Sequence, residues 1–436
     1  MSRVRPWIAT LAGLTLLFGL TAGPLLQVSD THAQEAVELR VWDQFTDPEE
    51  SVVADAIYAA FTEANPNITI TREAFETDQM RDTVNTAISS GTGPDVIFYD
   101  AGPGYAGILV EAELLLPLTD YAAEYGWTEE VSPSAQEGTT IDGVFYGMPL
   151  QTDLIGMYSN ETLIAQEGLT TPTTLDELIA FCGAAMEKGY FPIAFANNPG
   201  WEGFHQYSMT ISQMMGPDAL RAKLLNNEGS WNTPEGITAI QSFFVDLNEA
   251  GCFPPDVNAI PYEDGNTLFF SGQSLLHTTG SWIVGDIEEA MGDYEIGYQP
   301  FPVIAEGNEP TWVSGVGSAY YITTKTEHAD EAALLIDHLF SPPSVEKWVS
   351  EARYFVPVKV DLSAVEIGPV NRTVLDILQS AEAEGLAFGY NVDVLAPPPF
   401  NEMMQNGFQA VIAGDKTAEQ QAADLDAAWN EGMPAS

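Results

Sequence analysis

At several points the chain sets an aromatic ring beside a polar side chain just where it turns. "VWDQF" carries Trp42, Asp43 and Gln44, and "FYDAGPGY" carries Tyr99, Asp100 and Tyr105. "PLQTDLIGMY" carries Gln151 and Asp153, "NNPGWEGFHQY" carries Trp201 and Glu202, and "TTGSWIV" carries Trp282. Flat rings stack on the apolar faces of sugar rings, while Asp, Glu and Gln accept or share hydrogen bonds with ring hydroxyls. On local sequence alone Trp42, Tyr99 and Trp282 suit a binding site or a core equally. Tyr58 and Phe61, at helical spacing, read as core.

Catalytic and cofactor chemistry leaves no comparable trace. The chain lacks a G-x-S-x-G elbow, an H-E-x-x-H pair and a phosphate-binding G-x-x-x-x-G-K-[ST], and neither a catalytic set nor a cofactor is expected. His205, His277, His328 and His338 show no metal-ligand spacing, and no metal is expected. With 63 acidic residues some carboxylates must lie close together, so a glycosidase pair cannot be singled out. None of the aromatic-polar loops contains Lys or Arg, which favours a neutral polyol over an anion. A polyamine is the alternative ligand that aromatic-plus-carboxylate loops would suit.

These loops need a scaffold to hold them. "VELRVWDQF" alternates as a strand, "DPEESVVADAIYAAFTEANP" follows as a helix with acids in its first turn, and "NITITREAF" alternates again. "TDQMRDTVNTAISSGTGP" reads as a helix ending at Gly91, and "DVIFYD" as a buried third strand. Strand, helix, strand, helix, strand is a βαβαβ unit with a mainly parallel sheet, and open α/β sheets bind ligands beyond the carboxyl ends of their strands. A second set of elements follows residue 160, from the helix at "LDELIAFCGAAMEKG" through the strands "YFPIAFA" and "FFSGQSLLHTTGSW" to "SAYYITTKT" and two or more tail helices. The expected class is α/β, in two lobes.

A chain of 436 residues exceeds what one core usually organises. Its formal charge of -49 disfavours nucleic acid and anionic lipid as partners. The acids are scattered, as on a solvated surface. Residues 1–33 read as a cleavable export signal: Arg3 and Arg5, an apolar run from Trp7 to Leu20, and a small-x-small site at Thr31-His32-Ala33. No cysteine follows the run for lipid attachment, so a periplasmic or extracellular mature protein is expected. Cys182 and Cys252 are the two cysteines; in an oxidising compartment they either pair or remain as buried thiols.

The order of these pieces resembles the extracellular solute-binding proteins of ABC importers, in the family 1 group that includes maltose-binding proteins. The resemblance is carried by "LRVWDQF", "SSGTGPDVIFYDAGPGYAGILVEAELLLPL", "DGVFYGMPLQTDLIGMYSN", "FFSGQSLLHTTGSWIVGDI" and "AALLIDHLFSPPSVEKWVSEARYFVPV". It implies a two-lobe periplasmic-binding-protein fold with a three-crossing, type II-like hinge. The crossings are expected near 149–153, 299–302 and 338–345. The first lobe would then hold 34–150 and 301–340, and the second 151–300 and 341–436. It further implies a monomeric protein that hands a sugar or polyol to membrane permease subunits with their ATPase. Tyr99 falls where the family has a first-lobe cleft aromatic, Trp282 on its G-x-W aromatic, and Asp153 on an acidic residue near the first crossing. Trp42, Asp43, Gln44, Asp100, Trp201 and Glu202 fall in ligand loops, and Tyr354 at the rim or floor. "LAPPPFNEMM", with Phe400 and Asn401, departs from the tryptophan of the maltose binders.

Overall fold

The computed structural model describes residues 36–433 except 363–364 and 385–387; the expected export signal over 1–33 lies outside the described residues. The strands, in chain order, are β1 (Val37–Asp43), β2 (Ile68–Ala74), β3 (Val96–Asp100), β4 (Thr140–Ile141), β5 (Val144–Phe145), β6 (Gly147–Pro149), β7 (Thr152–Asn160), β8 (Phe191–Ile193), β9 (Ser274–Gly280), β10 (Ile296–Gln299), β11 (Val313–Val316), β12 (Ser318–Ile322) and β13 (Gly389–Tyr390). Among the described residues they form a five-stranded sheet, β2-β1-β3-β12-β6, a six-stranded sheet, β13-β11-β7-β9-β8 with β10 on β7, and the small β4-β5 ribbon.

The βαβαβ unit stands as read: β1 pairs in parallel with both β2 and β3. Its first helix, Pro48–Ala64, starts where the Asp47 carboxylate caps the Glu49 amide and Pro48 supplies a preset φ. Its second, Thr77–Ser90, stops at Gly91, whose φ of 75° closes the last turn. Burying Tyr58 and Phe61 on one face of Pro48–Ala64 seats that helix on the sheet, as their spacing requires. In the second lobe, the helix Leu175–Glu187 opens with a Thr174/Glu177 capping box. Its Cys182 is joined to Cys252, across Cα atoms 5.1 Å apart.

The sheets move two of the expected crossings. Strands β10 and β11 both pair with β7, so residues 301–316 continue the second sheet and the chain returns to the first sheet at Gly317, not near 300. Helix Pro342–Ser350 buries Val345, Trp348 and Val349 in the first core, with Tyr354, Leu362 and Val365 behind it. The last crossing therefore falls between Val365 and Val370, which packs in the second lobe, and the assignment of 341–436 as a block to that lobe is corrected. Turn residues mark where a chain can bend, whereas sheet membership depends on partners more than a hundred residues away. The first crossing is at Leu150–Gln151, between β6 and β7. It is hydrogen-bonded to the second crossing through Gly317 N to the Gln151 carbonyl, 3.2 Å, and Leu150 N to the Ser318 carbonyl, 3.2 Å.

Candidate ligand-binding site

The carboxyl ends of β1 and β3, the two adjoining crossings, the end of β9 and the start of helix Glu202–Met215 carry the polar and aromatic groups of the candidate site. On the first lobe, β3 ends in Asp100, gripped by the fork of Arg81 from helix Thr77–Ser90: Nε to Oδ2 at 3.0 Å, Nη2 to Oδ1 at 2.8 Å. Gln44 Nε2 donates to Asp100 Oδ2 at 3.4 Å, and Ser318 Oγ lies 3.5 Å from Gln44 Oε1. A bidentate guanidinium–carboxylate pair fixes geometry as well as charge, so the strand end presents a preset polar chain, Arg81–Asp100–Gln44–Ser318. Tyr99 is buried in one cluster with Trp42, Met80 and Tyr321, and Trp42 tilts on Phe75 at 4.6 Å between ring centres with its buried Nε1 unpartnered.

Asp43 has another task. It is fully buried, and four donors occupy it: Arg72 Nε at 2.6 Å and Nη2 at 2.9 Å, the Phe45 amide at 3.3 Å and the Tyr58 hydroxyl at 3.4 Å. Burial pushes its pKa up, against the opposing pull of Arg72. A carboxylate has about four acceptor positions, so Asp43 has none left for a ligand; it ties β1 to β2, which corrects its place among the ligand loops. The loops themselves hold no Lys or Arg, as read, but cations from elsewhere reach them. Arg72 and Arg81 stand in other elements and reach the strand ends only in the fold.

At the hinge, Asp153 is 5% exposed. Its Oδ1 accepts from Gln151 Nε2 at 2.9 Å and Ser281 Oγ at 3.3 Å. A Cβ at residue 317 would lie 2.4 Å from its Oδ2, so Gly317 is what lets the second crossing pass. Burial pushes the Asp153 pKa up to about 7, only partly offset by the Gln151 and Ser281 hydrogen bonds.

The second lobe supplies an aromatic platform. Trp201 lies 4.6 Å from Tyr262 and 5.4 Å from His205 between ring centres, and Trp282 lies 4.9 Å from His205 and 6.4 Å from Trp201. Trp282 Nε1 donates to the Tyr262 hydroxyl at 2.6 Å. The indole folds back over Gly280, where any Cβ would lie 1.9 Å from the ring. Beneath sits Glu202, 3% exposed, accepting from Thr279 Oγ1 and Gln206 Nε2, both at 3.2 Å, with His205 Nδ1 at 3.4 Å. Burial disfavours the His205 cation, but Glu202, with Asp393 and Asp153, outweighs it and holds the imidazole pKa above its ordinary value. Trp201 and Trp282 stay half-buried while their polar support is sealed.

Glu202 begins a helix instead of lying on a loop, with Trp201 as its N-cap in the preceding turn. Every residue from Glu202 to Gln213 is buried, and a helix buried all round has no amphipathic period to read. Tyr354 is a first-lobe residue that stacks on Trp348 at 5.8 Å and hydrogen-bonds Glu50. Phe400 is core, against Trp231 and Trp429. Sequence reasoning missed Arg81, His205 and Tyr262; the scarcity of cations was the signal that could have drawn attention to Arg81. Among the described residues no group of three or more His, Cys, Asp or Glu is placed to hold a metal, and no helix is long and apolar enough to cross a membrane.

Two α/β lobes on a three-crossing hinge, with polar and aromatic groups gathered at their facing strand ends, define the two-lobe periplasmic binding-protein architecture. Residues 56–367 match the family described as bacterial extracellular solute-binding protein, and the chain belongs to that family. The multiple sugar-binding protein of Streptococcus mutans is 25% identical over 353 residues, 77% of this chain and 80% of the relative. A solved chitin oligosaccharide binding protein superposes with a TM-score of 0.80 at 20% identity, covering 91% of this chain and 99% of that one. The maltose/maltodextrin-binding domain MalE from Bdellovibrio bacteriovorus, bound to maltotriose, gives 0.72 at 18% identity, covering 91% and 100%. At such identities the two structures share the fold with this chain.

Proposed function

We propose that the protein is the extracytoplasmic substrate-binding component of an ABC importer. It captures a neutral carbohydrate or polyol between its lobes and delivers it to membrane permease subunits without chemical turnover. The observation that carries this reading is the pairing of two surfaces. The second lobe offers the half-buried indoles of Trp201 and Trp282, and the first offers the fixed Arg81–Asp100–Gln44 chain. Rings take the apolar face of a pyranose, and the polar chain and Asp153 take its hydroxyls. Gripping a ligand from both sides shifts the population toward the closed form. Relatives named for multiple sugars, chitin oligosaccharide and maltotriose support the sugar class.

A thermal-shift screen of xylo-, chito- and malto-oligosaccharides, monosaccharides, polyols and polyamines, followed by calorimetry, tests this. A saccharide should raise the melting temperature, bind with one-to-one stoichiometry and be recovered unhydrolysed. Trp282→Ala should weaken it about tenfold or more while leaving folding nearly intact. Stabilisation by polyamines alone, or release of shortened sugars, would overturn the reading.

A further inference from the structure

The glycine-rich turn after β3 has a role that positioning Asp100 does not explain. Gly102-Pro103-Gly104-Tyr105 leaves the first lobe and lies directly on the second-lobe segment Val392–Asn401. Gly102 has φ +93°, and a Cβ there would lie 1.6 Å from the Val394 carbonyl oxygen. A Cβ on Gly104 would lie 2.5 Å from Asn401 Nδ2 and 3.2 Å from the Ala396 carbonyl oxygen. Beside them the Tyr105 hydroxyl reaches Asp393 Oδ2 at 3.4 Å, and Arg81 stacks over the Tyr105 ring at 4.8 Å while holding Asp100. The receiving surface is braced within its own lobe. Asn401 Nδ2 donates to the Asp393 carbonyl at 3.0 Å, and the Val392 amide donates to Ser208 Oγ at 2.9 Å.

Every atom in this contact belongs to the protein. We infer that the 102–105 turn and the 393–401 segment form a latch that holds the two lobes together in the ligand-free protein, with glycine required at 102 and 104 because the seat leaves no room for a side chain. A binding protein that populates its closed form before capture loses less affinity to closure, since apparent affinity is divided by the competent fraction. The latch is independent of which ligand the cleft takes.

The test uses exported protein stripped of co-purified ligand by unfolding and refolding with its disulfide intact. Small-angle scattering of wild type should give a compact particle, with the radius of gyration of about 21 Å expected for the roughly 400 residues of the exported chain. Gly104 is not among the glycines with positive φ, and the nearest atoms to its added Cβ all lie in the opposite lobe. Gly104→Ala should therefore fold normally by circular dichroism yet expand the particle by a few per cent. Tyr105→Phe, which loses one hydroxyl, is the variant safest for folding and should expand the particle slightly. A ligand-free wild type already expanded would overturn the latch. So would a Gly104→Ala protein as compact as wild type. Sugar binding is not measured here, so failure of the latch leaves the proposed function standing.

Discussion

Replacing Asp153 with Asn should make the ligand-free protein more stable and a poorer binder. The carboxyl of Asp153 titrates at about 7 in the fold, against an ordinary value of 3.8. Between those two pH values the folded state keeps a proton that the unfolded chain has released, so raising the pH through this window costs stability. The difference is about three pKa units, or about 4 kcal/mol at about 1.4 kcal/mol each, as an upper bound. Unfolding entropy of about 2.1 cal/mol/K per residue gives about 0.8 kcal/mol per degree for some 400 residues, so the bound corresponds to about 5 °C. Asn keeps an oxygen for Gln151 and Ser281 but cannot ionise. The melting temperature of Asp153→Asn minus that of wild type should be small near pH 4, rise through pH 5 to 7 and level off by pH 8. Taking this difference removes the slopes due to other groups, such as Glu50, pushed up to about 8, and Asp286, to about 6, both chiefly by burial. Ligand affinity should move the other way, falling about tenfold at pH 8, because a hydroxyl would lose an ionised acceptor. A variant less stable than wild type at pH 8, or a difference flat with pH, would refute the assignment of Asp153 as a buried charge kept for binding.

Other perturbations separate scaffold from site. Arg72→Met strands Asp43 in the first core and should cost about 3 kcal/mol or more in urea unfolding, with a greater loss at pH 8 than at pH 5 because protonation relieves the unpaired carboxylate. Arg81→Met leaves Asp100 without its fork and should weaken sugar binding in calorimetry by about tenfold or more. Opening the bridge with Cys182→Ser and Cys252→Ser releases a loop spanning 70 residues and should lower stability by about 4 kcal/mol in the chain-entropy picture, with the cleft unchanged. Non-reducing mass spectrometry of exported protein checks that the bridge is present before that comparison.

The elements around the first sheet were legible because each carries its own local signal. Asp47-Pro48 starts a helix, Gly91 stops one, and Val96 to Phe98 is too short and too apolar for anything but a buried strand. Asp153 stood out at the first crossing because the break and the unusual side chain are neighbours in the chain, whereas Trp282 at its Gly-Ser turn suited core and site alike until the fold set it beside Trp201 and His205. Helix Glu202–Met215, buried on all sides, sent no periodic signal, so Glu202 and His205 were hidden with it. Sequence alone thus determined the α/β class, the two lobes and the kinds of side chain available to a cleft. Tertiary structure decided which of them are free to use it. Asp43 and Asp100 look alike at the ends of neighbouring strands, yet Arg72, the Phe45 amide and the Tyr58 hydroxyl together occupy the acceptors of the first while Arg81 and Gln44 hold the second. It also decided that Gly102 and Gly104 meet the opposite lobe. Pairings of this kind depend on groups tens to hundreds of residues apart, and only the folded chain brings them within hydrogen-bonding distance.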